Sequence, residues 1–95
     1  MMDKKQEILD YLNEKVFEPA IKYSKENNLP EIGKGVRFTR MRMEQLPDAR
    51  AVVQYFWSAV IGTDKSIKFS DMMKEHNIVR FEDVLEEFRE KFKDI

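Results

Sequence analysis

The 95-residue sequence contains no cysteine and a single histidine. Without cysteine it can form no disulfide framework, no thiolate metal site and no cysteine nucleophile. It also has no apolar run near the ~18–20 residues that a transmembrane helix needs. Its first residues are charged and lead into an amphipathic pattern, whereas a secretory signal has a continuous apolar stretch. We therefore expect a cytoplasmic protein that forms one globular domain over residues 1–95 and makes no contact with a membrane.

Groups that could carry out catalysis are also scarce. The histidine, His76, is predicted at the C-terminal end of a short helix, where the helix dipole favours an imidazolium ion. The pair Gly33 and Gly35 lacks the Gly-Lys-Ser/Thr ending of a phosphate-binding loop. The acidic residues near the C terminus follow one helix face, which is typical of a solvated surface rather than of an acid–base pair across a cleft. We expect no enzyme, no cofactor and no metal site.

Charge is balanced overall but uneven along the chain. The 17 basic and 18 acidic residues leave a formal net charge of −1, so no global field attracts nucleic acid or an anionic membrane. Between residues 34 and 42, however, cations occur without any acid. This segment is the candidate binding site, because arginine suits both carboxylate and phosphate groups. Its proposed binding residues are Lys34, Arg37, Phe38, Arg40 and Arg42.

Only three prolines and three glycines interrupt the chain, and apolar residues recur at three- and four-residue steps, as in amphipathic helices. These patterns predict an all-α fold of four to five short helices. The helix over about residues 48–61 should be buried almost all round at the centre of the fold, because so few of its residues are polar. Asp48 is its predicted N-cap and Gly62 its predicted end. The polar residues recur at every fourth position: Arg50, Gln54 and Ser58.

Two segments are open to more than one interpretation. Pro19 lies within the first helical pattern, so the helix either kinks there or ends just before it and restarts with Pro19 at its first position. Residues 36–43 alternate apolar and polar side chains like a short β arm. Phe38, Met41 and Gln45 also fit a helical turn, and periodicity alone does not separate these alternatives.

The C-terminal third predicts a helical hairpin. A short helix over about residues 70–76 is followed by Asn77, which suits the left-handed conformation after a helix. Ile78 should then fold back onto Met73. Two helices joined by a tight turn are the outline of a helix-turn-helix, in which Arg80 would be placed to contact a guanine edge.

The last helix, over about residues 80–93, carries an apolar seam with heptad spacing. We predict a homodimer with two-fold symmetry that uses this seam and two aromatic residues of the 48–61 helix. The alternative is that helices of the same chain cover these side chains. The candidate self-association residues are Tyr55, Trp57, Phe81, Leu85, Phe88 and Phe92.

The leading functional hypothesis is a non-enzymatic interaction or regulatory module that binds a protein partner with an acidic surface through residues 34–42. The alternative is a small nucleic-acid-binding regulator that uses the same segment together with Arg80. Salt separates the two hypotheses, because phosphate binding weakens steeply as the salt concentration rises.

Overall fold

A computed structural model describes residues 3–60 and 69–95 of the chain, and five helices account for most of them. Within this part of the chain the backbone forms helices and turns but no strand. The predicted all-α fold of short helices is therefore confirmed. In chain order the helices are α1, made of Lys4–Leu12, Asn13–Phe17 and Glu18–Glu26; α2, Pro30–Glu44; α3, made of Ala49–Tyr55 and Phe56–Val60; α4, Phe69–Glu75; and α5, Phe81–Lys91.

The first helix, α1, passes through Pro19 without a break. Just before the proline the helix widens into a π-turn over Asn13–Phe17, and the backbone N–H of Glu18 donates to the carbonyl oxygen of Asn13. A proline ring in a regular α-helix clashes with the carbonyl group four residues earlier. The wider turn moves that carbonyl group out of its regular position, so the helix continues. The alternative in which a helix ends and a new one starts at Pro19 is therefore wrong.

Residues 36–43 lie in the middle of α2, so the predicted β arm is wrong and the helical alternative is correct. The alternation of apolar and polar residues extends over only three positions at a time, a length at which a strand and a helix look alike. Over the whole helix one face is buried against the second half of α1, and this burial selects the helix. Gly33 is buried on this face, and the other buried residues follow steps of four, three and four: Ile32, Val36, Thr39 and Met43.

Two asparagines end helices in the same way. Asn28 after α1 and Asn77 after α4 have φ angles of 52° and 53°, the left-handed conformation that asparagine tolerates better than most residues. The N–H of Ile78 donates to the carbonyl oxygen of Met73 at 3.1 Å, which confirms the predicted turn. An equivalent backbone hydrogen bond follows Asn28, and this first turn folds α2 back onto α1.

The core lies along α1. Its first half packs against α3 and its second half against α2. Further buried side chains come from α3, α4 and α5, among them Phe56, Met73 and Phe88. The α1 side chains in the core are Ile8, Tyr11, Leu12, Val16, Phe17, Ala20 and Ile21.

The helix α3 begins as predicted. The Asp48 carboxylate accepts the N–H of Ala51 at 2.9 Å and so satisfies one of the free donors at the helix start. Val52 and Phe56 of α3 are buried, and the three predicted polar positions are exposed. The other described apolar residues of α3 are only half-buried, so the prediction that this helix is buried almost all round at the centre of the fold is wrong, and the core lies along α1 instead. The predicted end of this helix at Gly62 lies outside the described residues.

Candidate functional site

The helix α2 carries a second face, opposite to the one that packs on α1. Phe38 is 57% and Met41 44% exposed, and they are the exposed large apolar side chains of the described residues. They lie one turn apart on the helix and form a continuous ridge. Single exposed apolar residues are ordinary. Because these two are adjacent on a charged surface, we take their ridge as the candidate contact site. The residues of this row follow steps of four, three and four, and all are exposed: Lys34, Phe38, Met41 and Gln45.

Cations flank the ridge on both sides. Successive residues of a helix are about 100° apart, so Arg37 and Arg42 lie about 140° apart around the axis, with Phe38 and Met41 between them. Lys34 stands at the N-terminal end of the ridge. Within residues 3–60 and 69–95, no carboxylate forms an ion pair with these three cations. We call this set the α2 outer face: Lys34, Arg37, Phe38, Met41, Arg42 and Gln45.

Arg40, the remaining cation of the predicted segment, has a different position. Its Nη1 atom donates to the Asn13 Oδ1 atom at 2.9 Å and to the Glu18 Oε1 atom at 3.0 Å. These two residues stand at the start of the π-turn of α1 and directly after it. Arg40 therefore ties α2 to α1, and the structure separates it from the α2 outer face.

Arg80 lies on another part of the molecule. It directly precedes α5, and its Nε atom pairs with the Asp83 Oδ2 atom at 3.1 Å, beside Glu14 and Lys15 of α1. Glu82 and Asp83 are exposed in the first turn of α5. The helix that a helix-turn-helix protein would insert into the major groove therefore starts with negative charge, which opposes contact with phosphates.

Two of the residues predicted for self-association are buried inside the chain. The ring of Phe88 stacks on Phe56 with centroids 4.1 Å apart and lies 6.1 Å from the ring of Tyr11. Phe92 packs edge-on against Tyr11 at 5.7 Å between centroids. Helices α1 and α3 of the same chain therefore cover this part of the α5 seam.

The other predicted self-association residues are less enclosed. Tyr55, Trp57 and Leu85 are half-buried, and the Arg89 guanidinium carbon lies 5.2 Å from the centre of the Trp57 ring, a favourable cation–π distance. The side chain of Phe81 lies outside the described residues. The homodimer stays a prediction, and it would have to use the half-buried residues, since Phe88 and Phe92 are not at the surface.

His76 follows the last residue of α4, and its Nδ1 atom lies 3.2 Å from the hydroxyl oxygen of Tyr23. The histidine thus takes part in a contact between α4 and α1. In the described ranges no group of three or more histidine, aspartate or glutamate side chains is arranged to hold a metal ion. No helix among these residues combines the length and the apolar character needed to cross a bilayer.

Comparison with known proteins found no matching family model, no matching curated protein and no matching solved structure. The α2 outer face therefore rests on its own geometry. The site predicted from sequence contains four of its six residues and omits Met41 and Gln45. The signal for both was the helical alternative for this segment, in which Phe38, Met41 and Gln45 lie on one face.

Proposed function

We propose that this chain is a non-enzymatic protein-interaction module that binds an acidic segment of a partner protein on the α2 outer face. The observation that carries the proposal is the exposed pair Phe38 and Met41 lying between Arg37 and Arg42. Removal of the apolar pair from water would provide affinity. The flanking guanidinium groups would select carboxylates, since electrostatic complementarity determines partner choice and association rate.

The charges of the α2 outer face favour a different protein over a second copy of this chain. Two copies paired through this face would bring six cations together, Lys34, Arg37 and Arg42 of each copy, with only one flanking acid, Glu44, from each. Juxtaposed like charges disfavour such a pairing. A homodimer would therefore have to use another surface, such as the half-buried residues Tyr55 and Trp57.

Nucleic acid is the competing partner, because arginine binds phosphate as well as carboxylate and an aromatic side chain such as Phe38 can stack on an unpaired base. The α2 outer face, however, has only three cations, and the whole chain has a net charge of −1. About three phosphate contacts support weak binding that falls with salt. We therefore propose a protein partner. Binding of nucleic acid is measured alongside it as the alternative.

The test is fluorescence anisotropy with two kinds of labelled probe, at about 50 and about 200 mM salt. The first kind is a set of acidic peptides rich in leucine and glutamate, and the second is mixed-sequence DNA and RNA, single- and double-stranded. We expect a peptide to bind and Arg37→Glu/Arg42→Glu to abolish its binding. The matched control, Lys22→Glu/Arg50→Glu, changes the net charge equally at exposed positions elsewhere and should retain binding.

Three results would overturn the proposal. One is that no acidic peptide binds, and a second is that both double variants lose binding to the same extent. The third is nucleic-acid binding that is tight at low salt, weak at high salt and lost in Arg37→Glu/Arg42→Glu, which would replace the protein partner by nucleic acid. Circular dichroism of each variant establishes that the helical fold is retained.

A further inference from the structure

The α2 outer face has the layout of one helix of a coiled coil. Its central row alternates steps of four and three residues, as the a and d positions of a heptad do. In this notation Arg37 and the exposed Glu44 fall at g, and Gly35 and Arg42 at e, the flanking positions that form ion pairs between paired helices. The opposite side of α2 is already buried on α1. The a and d positions of the exposed row are Lys34 (d), Phe38 (a), Met41 (d) and Gln45 (a).

We infer that the acidic segment bound by the α2 outer face is itself an amphipathic helix, with an apolar stripe flanked on both sides by acidic residues. This inference rests on the proposed function. The partner helix would place two apolar side chains on Phe38 and Met41. Its carboxylates at the flanking positions would meet Arg37 on one side and Arg42 on the other. Acids on a single flank would leave one of these arginines without a partner.

An extended peptide fits this surface less well than a helix does. A common way in which proteins bind an extended segment is through the free backbone groups of a strand edge. The backbone N–H and C=O groups in the middle of α2 are used in the helix itself. Only side chains are therefore available on the α2 outer face, and their helical steps match the side chains of a second helix.

The proposed contact would form on a helix that is already held in place, but it would extend over only a short length of that helix. The buried inner face of α2 and the hydrogen bonds of Arg40 to Asn13 and Glu18 hold the helix on α1. Little conformational freedom of α2 would be lost on binding, which favours affinity. The ends of the row, Lys34 and Gln45, are polar, so only about one heptad of apolar contact is available. We therefore expect a reversible complex that forms and dissociates, rather than a permanent one.

The test uses three labelled peptides of about 21 residues, or three heptads. The first has leucine at a and d and glutamate at e and g. The second has the same composition in an order without a heptad repeat, and the third has lysine in place of glutamate. Repulsion between the glutamates keeps the first peptide from pairing with itself. Anisotropy measures the affinity for the full chain, and circular dichroism measures helix formation on mixing.

We expect the first peptide to bind at least about tenfold more tightly than the second and to gain helix on binding. Phe38→Ala should weaken its binding by about tenfold or more, as loss of an aromatic anchor does. Arg37→Glu/Arg42→Glu should reverse the preference in favour of the lysine peptide. All three substituted residues are exposed, so the variants should fold, and Lys22→Glu/Arg50→Glu should leave the preference unchanged.

The outcomes separate this inference from the proposed function. Equal binding of the first and second peptides, lost in Arg37→Glu/Arg42→Glu, would overturn the helical partner while supporting an acidic one. Absence of binding by both acidic peptides would overturn the helical partner and the proposed function together. The tenfold preference, combined with the reversed preference of the charge variant, would support both.

Discussion

The side chain of Ser24 binds the backbone of Gly33 across the contact between α1 and α2. The Gly33 N–H donates to the Ser24 Oγ atom at 3.0 Å, and the hydroxyl group donates in turn to the carbonyl oxygen of Leu29 at 2.7 Å. A Cβ atom on Gly33 would lie 2.7 Å from the same Oγ atom, closer than non-bonded atoms approach. Gly35 has nothing within 4 Å of its Cβ position. An added side chain would therefore clash at Gly33 but not at Gly35.

Gly33→Ala should lower the free energy of unfolding by about 1–2 kcal/mol, because the added methyl group displaces the Ser24 hydroxyl from its hydrogen bonds. Gly35→Ala is the matched control in the same helix. It should raise the free energy of unfolding by about 0.5–1 kcal/mol, because alanine has a higher helix propensity than glycine. Urea unfolding followed by circular dichroism measures both. In a Ser24→Ala background Gly33→Ala should be less destabilising, and an undiminished effect would show that Ser24 is not the cause.

Phe88 and Phe38 form a second matched pair, one buried and one exposed. Phe88→Ala should lower the free energy of unfolding by about 3–5 kcal/mol, because it leaves a cavity between Tyr11, Phe56 and Phe92. Phe38→Ala should change it by no more than about 0.5 kcal/mol. If Phe88 were instead covered by a second copy, the unfolding midpoint of the unsubstituted protein would depend on protein concentration. Because Phe88 is covered within its own chain, we expect its burial to add no concentration dependence to the unfolding midpoint. Unfolding the protein at two concentrations tests this expectation.

Asn77 should tolerate glycine but not a residue with a larger apolar side chain. Its φ of 53° lies in the region where most side chains are disfavoured by about 1–2 kcal/mol. We expect Asn77→Val to lower the melting temperature and Asn77→Gly to leave it nearly unchanged or slightly higher. Thermal unfolding followed by circular dichroism distinguishes the two. Similar melting temperatures for both variants would contradict a conformational role for Asn77.

Tyr11 should make the protein sensitive to alkali. Burial, together with the neighbouring Glu87 carboxylate, raises the pKa of the Tyr11 hydroxyl above its usual range. Below about pH 10 the tyrosine is neutral in both the folded and the unfolded state, and its contribution to stability is complete. Above that pH the unfolded chain loses the proton while the folded chain keeps it, so stability falls as pH rises.

The measurement is the free energy of unfolding between about pH 8 and about pH 11, compared with Tyr11→Phe, which has no ionisable group at this position. The unsubstituted protein should lose more stability over this range than the variant does. Lysines and the other tyrosines titrate in both proteins, so their effect cancels in the comparison. Parallel pH dependences would show that Tyr11 ionises equally in the folded and the unfolded chain.

The candidate site could be predicted only in part. The absence of acids between residues 34 and 42 is visible in the sequence and pointed to the helix that carries the α2 outer face. Which of the four cations face solvent was not visible, because that depends on the side of α2 that packs on α1. Arg40 falls beside Asn13 and Glu18, whereas Arg37 and Arg42 fall on either side of Phe38.

The sequence by itself determined the helical class, the start of α3 at Asp48 and the turn at Asn77. Each of these depends on residues within about one or two helical turns, through periodicity and capping hydrogen bonds. Tertiary structure alone decided that residues 36–43 are helix and that α1 and α3 cover Phe88. Both outcomes are set by burial against segments far away in the chain, and a local pattern cannot show which apolar face finds a partner and which remains exposed.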